Sequence, residues 1–205
     1  MEECIGKREL NKVRKRAMIV DAARHSFLEH GYAATSMSAV ADNLGCSKAT
    51  MWSHFGSKEE LFAAVIDSLL ELFSNDIDEV LTNQTFSLPA MRRACLRFLD
   101  CLLSDYSIRL FRLVVSEGER FPEINELFYA RGPAKVRRDI RNFYATYFDD
   151  AGADKLTQLV VSAIAGYRTE ILLRPVRPNI AEREAFVDDF IAMIDWDSLE
   201  PKPAA

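Results

Sequence analysis

The sequence has little of what metal sites, disulfide frameworks and membrane spans require. Its four cysteines, Cys4, Cys46, Cys95 and Cys101, show no CxxC spacing and no accompanying histidine pair, which argues against a zinc site and against a disulfide framework. No apolar run approaches the roughly 18 to 20 residues that span a bilayer, and residues 1–10 lack the apolar centre of a signal peptide. We therefore expect a soluble, cytoplasmic protein with reduced thiols, no membrane contact, no metal and no cofactor.

Common catalytic motifs are also missing. The sequence contains no phosphate-cradling glycine loop and no GxSxG nucleophile motif, so an enzyme is not the expected class. Two alternatives stay open: an all-α small-molecule-binding protein or enzyme that does not regulate through DNA, and a thiol-based redox regulator that uses Cys95 and Cys101. On one helix these two cysteines lie about 9 Å apart along the axis, beyond disulfide reach without rearrangement.

The chain of 205 residues also lacks an overall positive charge, since its formal net charge is -5. The distribution changes that picture, because residues 1–58 hold nine Lys and Arg against six Asp and Glu, whereas residues 59–205 hold 17 against 25. The basic residues concentrate in one short stretch: Lys7, Arg8, Lys12, Arg14, Lys15 and Arg16. Such a stretch either approaches a phosphate backbone or forms a solvated, partly disordered arm.

What the sequence does have is a pair of short amphipathic helices separated by a turn. Over residues 37–44, one helical face collects the apolar side chains of Met37, Val40, Ala41 and Leu44. Gly45 is suited to end that helix, and Ser47 is placed to cap a second helix over residues 48–54. The second helix is expected to bury little: Ala49, Met51 and Phe55. Its other side chains can donate hydrogen bonds, which is typical of a helix-turn-helix that reads DNA.

Helical periodicity continues on both sides of this segment. A first helix is expected from about residue 9 to residue 30, closed by Gly31, and a capping box at residues 57–60 begins a long fourth helix. Proline and glycine divide the remainder into further helices, and no alternating β pattern competes. We predict an all-α fold of about nine helices. An N-terminal basic arm and three-helix DNA-binding head occupy residues 1–56, and a larger helical effector-binding and dimerisation domain occupies residues 57–205.

The stretch from Ile19 to Ile66 resembles the TetR family of transcriptional regulators. The resemblance rests on residue types at many spaced positions: Ala22, Ala23, Phe27, Gly31, Tyr32, Thr35, Val40, Ala41, Gly45, Ser47, Lys48, Thr50, Trp52, His54, Phe55, Lys58, Glu59 and Leu61. Trp52 departs from the pattern, because the family more often has tyrosine there. Farther on, the run EGERFPE at residues 117–123, with Phe128-Tyr129 and Gly132-Pro133, resembles the regulatory domain of the AefR-like group.

The resemblance implies which residues contact DNA. The matching positions are Thr35, Ser36, Ser47, Lys48, Ala49, Thr50, Trp52, Ser53, His54 and Lys58. Lys48 and Ser53 are the expected contacts to base edges, whereas Trp52, His54 and Lys58 are assigned mainly to phosphates.

Several of these residues have a second interpretation. Thr35 and Ser36 are expected both to cap the second helix and to contact phosphate, although capping alone explains them. Trp52 is alternatively a packing residue, and His54 is alternatively a cap on the third helix. Ala49 is placed to touch a thymine methyl.

The resemblance also implies a C-terminal domain that binds a small molecule. Aromatic residues and two arginine anchors are the candidates to line its cavity, with burial in the core as the alternative for each: Phe98, Phe111, Arg112, Phe121, Phe128, Phe143, Tyr144, Tyr147, Tyr167 and Arg168. Family members are mostly homodimers, and the last two helices are expected to form a four-helix interface across a two-fold axis. Its residues are Leu156, Leu159, Val160, Ala163, Ile164, Tyr167, Phe186, Phe190, Ile191 and Ile194, unless these are buried within one subunit.

The resulting hypothesis is a sequence-specific transcriptional regulator. A homodimer would place its recognition helices in successive major grooves of a near-palindromic, double-stranded operator, about 34 to 36 Å apart. A small hydrophobic or amphipathic effector would displace the fourth helix and release this repressor from DNA.

Overall fold

Helices form the regular structure of the protein. The computed structural model describes residues 6–81 and 86–202, without the side chains of residues 72–81. Ten α-helices lie within these residues: α1 Lys7–Ala34, α2 Met37–Leu44, α3 Lys48–His54, α4 Lys58–Leu81, α5 Leu88–Leu103, α6 Asp105–Glu117, α7 Pro122–Arg131, α8 Pro133–Tyr144, α9 Asp150–Leu173 and α10 Ile180–Ala192. A short 3-10 turn follows at Trp196–Ser198. The predicted all-α class is confirmed.

Three further expectations can be compared with the described residues. Between residues 6–81 and 86–202, the only β-type pairing is an isolated bridge that joins Phe148 to Pro201. No helix in this part of the chain is long and apolar enough to cross a membrane. Cys46, Cys95 and Cys101 carry free thiols, and Cys4 lies outside the described residues.

Serine side chains fix where α2 and α3 begin. The Ser36 hydroxyl accepts a hydrogen bond from the amide of Ala39 at 3.1 Å, and the Ser47 hydroxyl accepts one from the amide of Thr50 at 3.1 Å. Each bond satisfies an amide that has no partner within its own helix. Ser36, rather than Thr35, is therefore the cap of α2.

The capping box predicted at residues 57–60, where α4 begins, is present in a modified form. Ser57 accepts from the amide of Glu60 at 3.1 Å, but the Glu60 carboxylate accepts from the amide of Gly56, one residue before the serine, at 2.7 Å. A reciprocal capping box occurs instead at the start of α10, between Asn179 and Glu182.

Two glycines end helical geometry where the sequence predicts it. Gly45 adopts left-handed angles (φ 65°, ψ 32°) directly after α2, and Gly31 interrupts α1 with φ 86° and ψ 171°. Positive φ is strained for residues that carry a Cβ atom, so glycine is the suitable residue at both breaks.

The chain packs as two compact units. Unit 1 comprises the residues up to 70 and residues 109–132, and unit 2 comprises residues 71–108 and the residues from 133 onward. The helices α4 and α6 each contribute residues to both units. These units are defined by packing, and the functional boundary at residue 56 stays a prediction.

Each unit has its own hydrophobic core. In unit 1 the rings of Phe27, Tyr32 and Phe62 are at most 2% exposed and meet at centroid distances of 5.1 to 5.7 Å, a range in which aromatic pairs attract beyond simple burial. In unit 2 the core is built by α5, α8, α9 and α10, with fully buried residues such as Leu99 and Ile164.

Candidate nucleic-acid interface

The buried side of α2 and α3 anchors the helix-turn-helix in unit 1. Val40, Ala41, Met51 and Phe55 are at most 1% exposed and belong to the unit 1 core. Met51 is the only buried residue within α3 itself, and Phe55 follows directly at its C-terminal cap. The other side chains of α3 are therefore available to face outward.

The outer side of α3 carries most of the predicted DNA contacts. Lys48, Ala49, Trp52 and Ser53 are exposed, as are Ser47 and Ser36, and Thr50 and His54 are half-buried. The Trp52 side chain is 53% exposed, so packing does not account for this residue. The expected burial of Ala49 was wrong, because Ala49 points away from the core and shares the outer face with Lys48.

Three hydroxyl groups along α3 bond to one another or to the helix backbone. The Ser47 and Thr50 hydroxyl oxygens are 2.8 Å apart, and the Ser53 hydroxyl donates to the backbone carbonyl of Thr50 at 2.7 Å. A serine hydroxyl has a single proton to donate. In this arrangement Ser53 therefore presents only its oxygen lone pairs to the surroundings.

Thr35 has a different place from the one expected. Its side chain is 2% exposed, it donates to the carbonyl of Gly31 at 2.8 Å, and it lies 3.2 Å from the Ser26 hydroxyl. A buried hydroxyl with these partners does not reach a phosphate, which corrects the expectation that Thr35 contacts DNA through its side chain. Its role here is to satisfy the backbone at the α1 break.

Lys58 lies at the first turn of α4, beside the aromatic core of unit 1. Its ammonium is 4.1 Å from the ring centroid of Tyr32, within the range of a cation–π interaction. Burial lowers the pKa of Lys58, although Glu117, Glu59 and Glu123 oppose this shift. The ammonium therefore already has favourable partners inside unit 1, and a phosphate contact by Lys58 would compete with them.

The break in α1 is closed by a carboxylate from α6. One Glu117 oxygen accepts from the amide of Tyr32 at 2.8 Å, and the other accepts from the amide of Ala33 at 2.7 Å. A Cβ atom at Gly31 would lie 2.4 Å from Glu117 Oε1, so both the positive φ and the close approach require glycine. No local sequence pattern links Glu117 to these two amides, which are 85 and 84 positions away along the chain.

The predicted effector residues of unit 2 do not share one site. Phe98, Phe143 and Tyr144 line a cavity of about 10 Å³, enough for on the order of one water molecule. Tyr147 lines an open groove with Phe86 and Trp196. On α9, Tyr167 stacks on Phe186 with centroids 3.9 Å apart, and burial lowers the pKa of Arg168.

The remaining four predicted effector residues lie in unit 1. Phe121 packs edge-on against Tyr32 at 5.2 Å, and Phe128 packs against the core of unit 1. Phe111 and Arg112 line an open surface depression. Among the described residues, the structure thus brings together only Phe98, Phe143 and Tyr144 around an enclosed space.

The predicted dimer residues fall into two groups. Leu156, Val160, Ile164 and Tyr167 on α9, and Ile194 after α10, are buried in the core of unit 2, which corrects their assignment to an interface. Leu159 is 44% exposed, and Ala163, Phe186, Phe190 and Ile191 are half-buried. The two faces of α9 are both apolar, so the periodicity alone did not distinguish core from surface.

Comparisons with known proteins agree with this geometry. Residues 19–65 match the family described as bacterial regulatory proteins, tetR family, and residues 89–154 match the AefR-like transcriptional repressor, C-terminal domain. The chain is 35% identical over 190 residues to the uncharacterized HTH-type transcriptional regulator YhgD of Bacillus subtilis, which covers 91% of this chain and 86% of YhgD.

Two further similarities differ in extent. The HTH-type transcriptional activator FasR of Mycolicibacterium smegmatis is 31% identical over 91 residues, which is 44% of this chain and 42% of FasR. The solved structure of the flavonoid-responsive regulator FrrA superposes with a TM-score of 0.73 at 27% identity, covering 88% of this chain and 94% of FrrA.

We predict that Glu117→Gln destabilises unit 1. Glutamine keeps one oxygen acceptor but replaces the other with an amide group that cannot accept, so one of the two α1 amides loses its partner. The expected loss in the free energy of unfolding is about 1 to 3 kcal/mol, measured by denaturant unfolding.

Glu119→Gln is the matched control, because Glu119 is exposed two residues away and the substitution removes the same charge. An equal loss in both variants would show that the two hydrogen bonds of Glu117 are not the cause.

Proposed function

Because the chain belongs to the TetR family of bacterial transcriptional regulators, we propose that it is a homodimeric repressor that binds a near-palindromic operator and is released by a small effector. The observation that carries this proposal is the outer face of α3. Two buried residues hold the helix in place, while Lys48, Trp52 and Ser53 face solvent on one short helix. A short helix with polar, exposed side chains fits the major groove of B-DNA.

The proposed contacts follow from where the side chains lie. Lys48 binds a guanine edge, Ser53 binds a base edge, and Ala49 contacts a thymine methyl. Ser36, Ser47, Thr50, Trp52 and His54 bind mainly phosphate oxygens, which set the register of the protein on the duplex. Lys58 binds a phosphate as well only if its ammonium gives up its contact with the Tyr32 ring.

The proposed dimer uses the solvent-facing stripe of α9. Leu159, Ala163, Gly166 and Leu173 recur at helical spacing on this side, where Leu173 is 83% exposed and Gly166 has open space beside it. Directly after α10, Met193 is 86% exposed. Such exposed apolar residues are covered when two copies meet across a two-fold axis.

The proposed effector site is the small cavity of unit 2. Drug-sized ligands occupy pockets of roughly 300 to 1,000 Å³, so the cavity between Phe98, Phe143 and Tyr144 must open to admit one. Its walls are apolar apart from the Cys95 thiol and the Tyr144 hydroxyl. We therefore expect a mainly apolar effector that carries one or two polar groups, and the flavonoid response of FrrA makes planar aromatic compounds the first to test.

Thiol-based redox control is less favoured. Burial raises the pKa of Cys95 to about 12 and that of Cys101 to about 11. The thiolate is the reactive form of cysteine, and it is scarce at neutral pH in both groups. Turnover of a metabolite is the observation that would support the enzyme alternative.

Lys48→Ala is expected to weaken operator binding roughly 5- to 150-fold, since one base contact contributes about 1 to 3 kcal/mol. The operator is first recovered by selecting bound fragments from the native genome, and affinity is measured by fluorescence anisotropy. Lys135→Ala, at an exposed lysine on α8, is the control. If Lys48→Ala bound the operator with unchanged affinity, α3 would not be the helix that contacts the bases.

Replacing both Leu159 and Leu173 by Glu is expected to convert the dimer to a monomer, because two-fold symmetry brings like charges together at a desolvated interface. Sedimentation velocity measures the mass. Val115→Glu, at a residue of α6 that is 65% exposed, should leave the dimer intact. A dimer that survives both α9 substitutions would place the interface elsewhere.

Ala94→Leu is expected to block the effector response without changing operator affinity, because the added atoms fill the unit 2 cavity that Ala94 lines. The measurement is release of labelled operator by a panel of planar aromatic and amphipathic compounds. Ala134→Leu on α8, away from the cavity lining, is the control. Release that is unaffected by Ala94→Leu would assign the effector to another site.

A further inference from the structure

The first three turns of α1 extend beyond the core of unit 1. The helix begins at Lys7, whereas its first buried residue is Ile19. Residues 7–18 are exposed, except for the half-buried Lys15. This segment is helical, so it does not match the alternative of a partly disordered arm.

The extension is strongly basic. It carries six lysine and arginine residues and a single carboxylate, Glu9. Within residues 6–81 and 86–202, none of the six cations forms an ion pair with an acidic side chain. Exposed like charges on one helix repel each other, so the extension gains most from a partner of opposite charge.

The cations are not evenly distributed around the helix. At about 100° per residue, Arg8, Lys12 and Arg16 form one stripe, and Lys15 lies next to it. Lys7 and Arg14 lie close together, about 135° around the helix from the middle of that stripe. The sequence spacing therefore defines a basic stripe, Arg8, Lys12, Lys15 and Arg16, and a separate back side.

One contact relates the basic stripe to the recognition helix. The guanidinium carbon of Arg16 is 4.7 Å from the ring centroid of Phe55, and Phe55 is the C-terminal cap of α3. The stripe thus starts beside the end of α3. From Arg16 to Arg8 it continues for about 12 Å by helical rise, comparable with three to four base pairs of duplex at about 3.4 Å each.

We propose that this basic stripe is a second, sequence-independent DNA contact that binds the phosphates flanking each half-site. The inference rests on the proposed operator binding by α3. It adds a different kind of contact, because phosphate contacts contribute affinity and salt dependence while base contacts contribute discrimination. The helix is already formed, so binding does not require the extension to fold first.

The test compares two charge-matched double variants. Arg8→Gln with Lys12→Gln removes two cations from the stripe, and Lys7→Gln with Arg14→Gln removes two from the back side. Each pair loses one arginine and one lysine, and glutamine has a helix propensity close to both. Circular dichroism and thermal melting verify that the fold is retained, and the charge-preserving pair Arg8→Lys with Lys12→Arg should restore binding.

Affinity is measured against salt concentration on the selected operator and on a random duplex of equal length. For the stripe pair, the slope of log K against log salt should become shallower by about 2, and affinity near 0.1 M salt should fall by up to about 60-fold. The loss should be the same on both duplexes, and it should disappear on a duplex trimmed to the half-sites. The back-side pair should leave the slope unchanged.

Several results would overturn the proposal. Equal effects of the two pairs would indicate general attraction without a defined contact. An unchanged slope in the stripe pair, with Lys48→Ala still weakening operator binding, would reject the stripe and leave the proposed function standing. If the unaltered protein bound no duplex at all, both the proposed function and this inference would be rejected.

Discussion

The pair of hydrogen bonds that Glu117 accepts from the amides of Tyr32 and Ala33 is the constraint on which the head of this protein depends. Where a helix breaks and restarts, the first amides after the break have no partner within the helix, and an unpaired amide that is partly buried is costly. The carboxylate resolves that problem and fixes where α1 breaks. Thr35, Ser36 and then α2 follow within five residues, so the start of the helix-turn-helix is set by a side chain from α6.

The aromatic core beneath this break connects it to α4 through direct contacts. Tyr32 packs against Phe27, Phe62 and Phe121, and its hydroxyl donates to Glu59 at 3.2 Å. Burial, aided by Glu59 and Glu123, raises the pKa of Tyr32, which keeps the hydroxyl protonated and able to donate. Close packing of this kind is poorly deformable, so a displacement of α4 or of the last turns of α6 would be felt at the α1 break.

The sequence predicts the parts of this arrangement that are locally encoded. Ser36, Ser47 and Gly45 act within four residues of themselves, and their roles as caps and helix ends follow from spacing. Glu117 was not predictable, because its partners are 84 and 85 positions away. The dimer face was misassigned at Leu156 and Val160, since α9 is apolar on two sides and periodicity does not say which side meets the core. The aromatic residues predicted to bind an effector lie at several separate places for a similar reason. The presence of an aromatic ring does not show whether the side chain packs in a core or lines a cavity.

The hydrogen bond from Ser53 to the Thr50 carbonyl has a consequence for the code that α3 would read. A side chain whose only proton is occupied accepts from the amino groups of adenine or cytosine, whereas contact with guanine or thymine acceptors requires the hydroxyl to rotate and give up that bond. The cost is about 1 kcal/mol, or roughly a fivefold bias. At the base pair that Ser53 contacts, the protein would therefore prefer some bases over others without excluding any. Rotation of the Ser53 hydroxyl about a single bond would allow the other bases without any movement of the backbone.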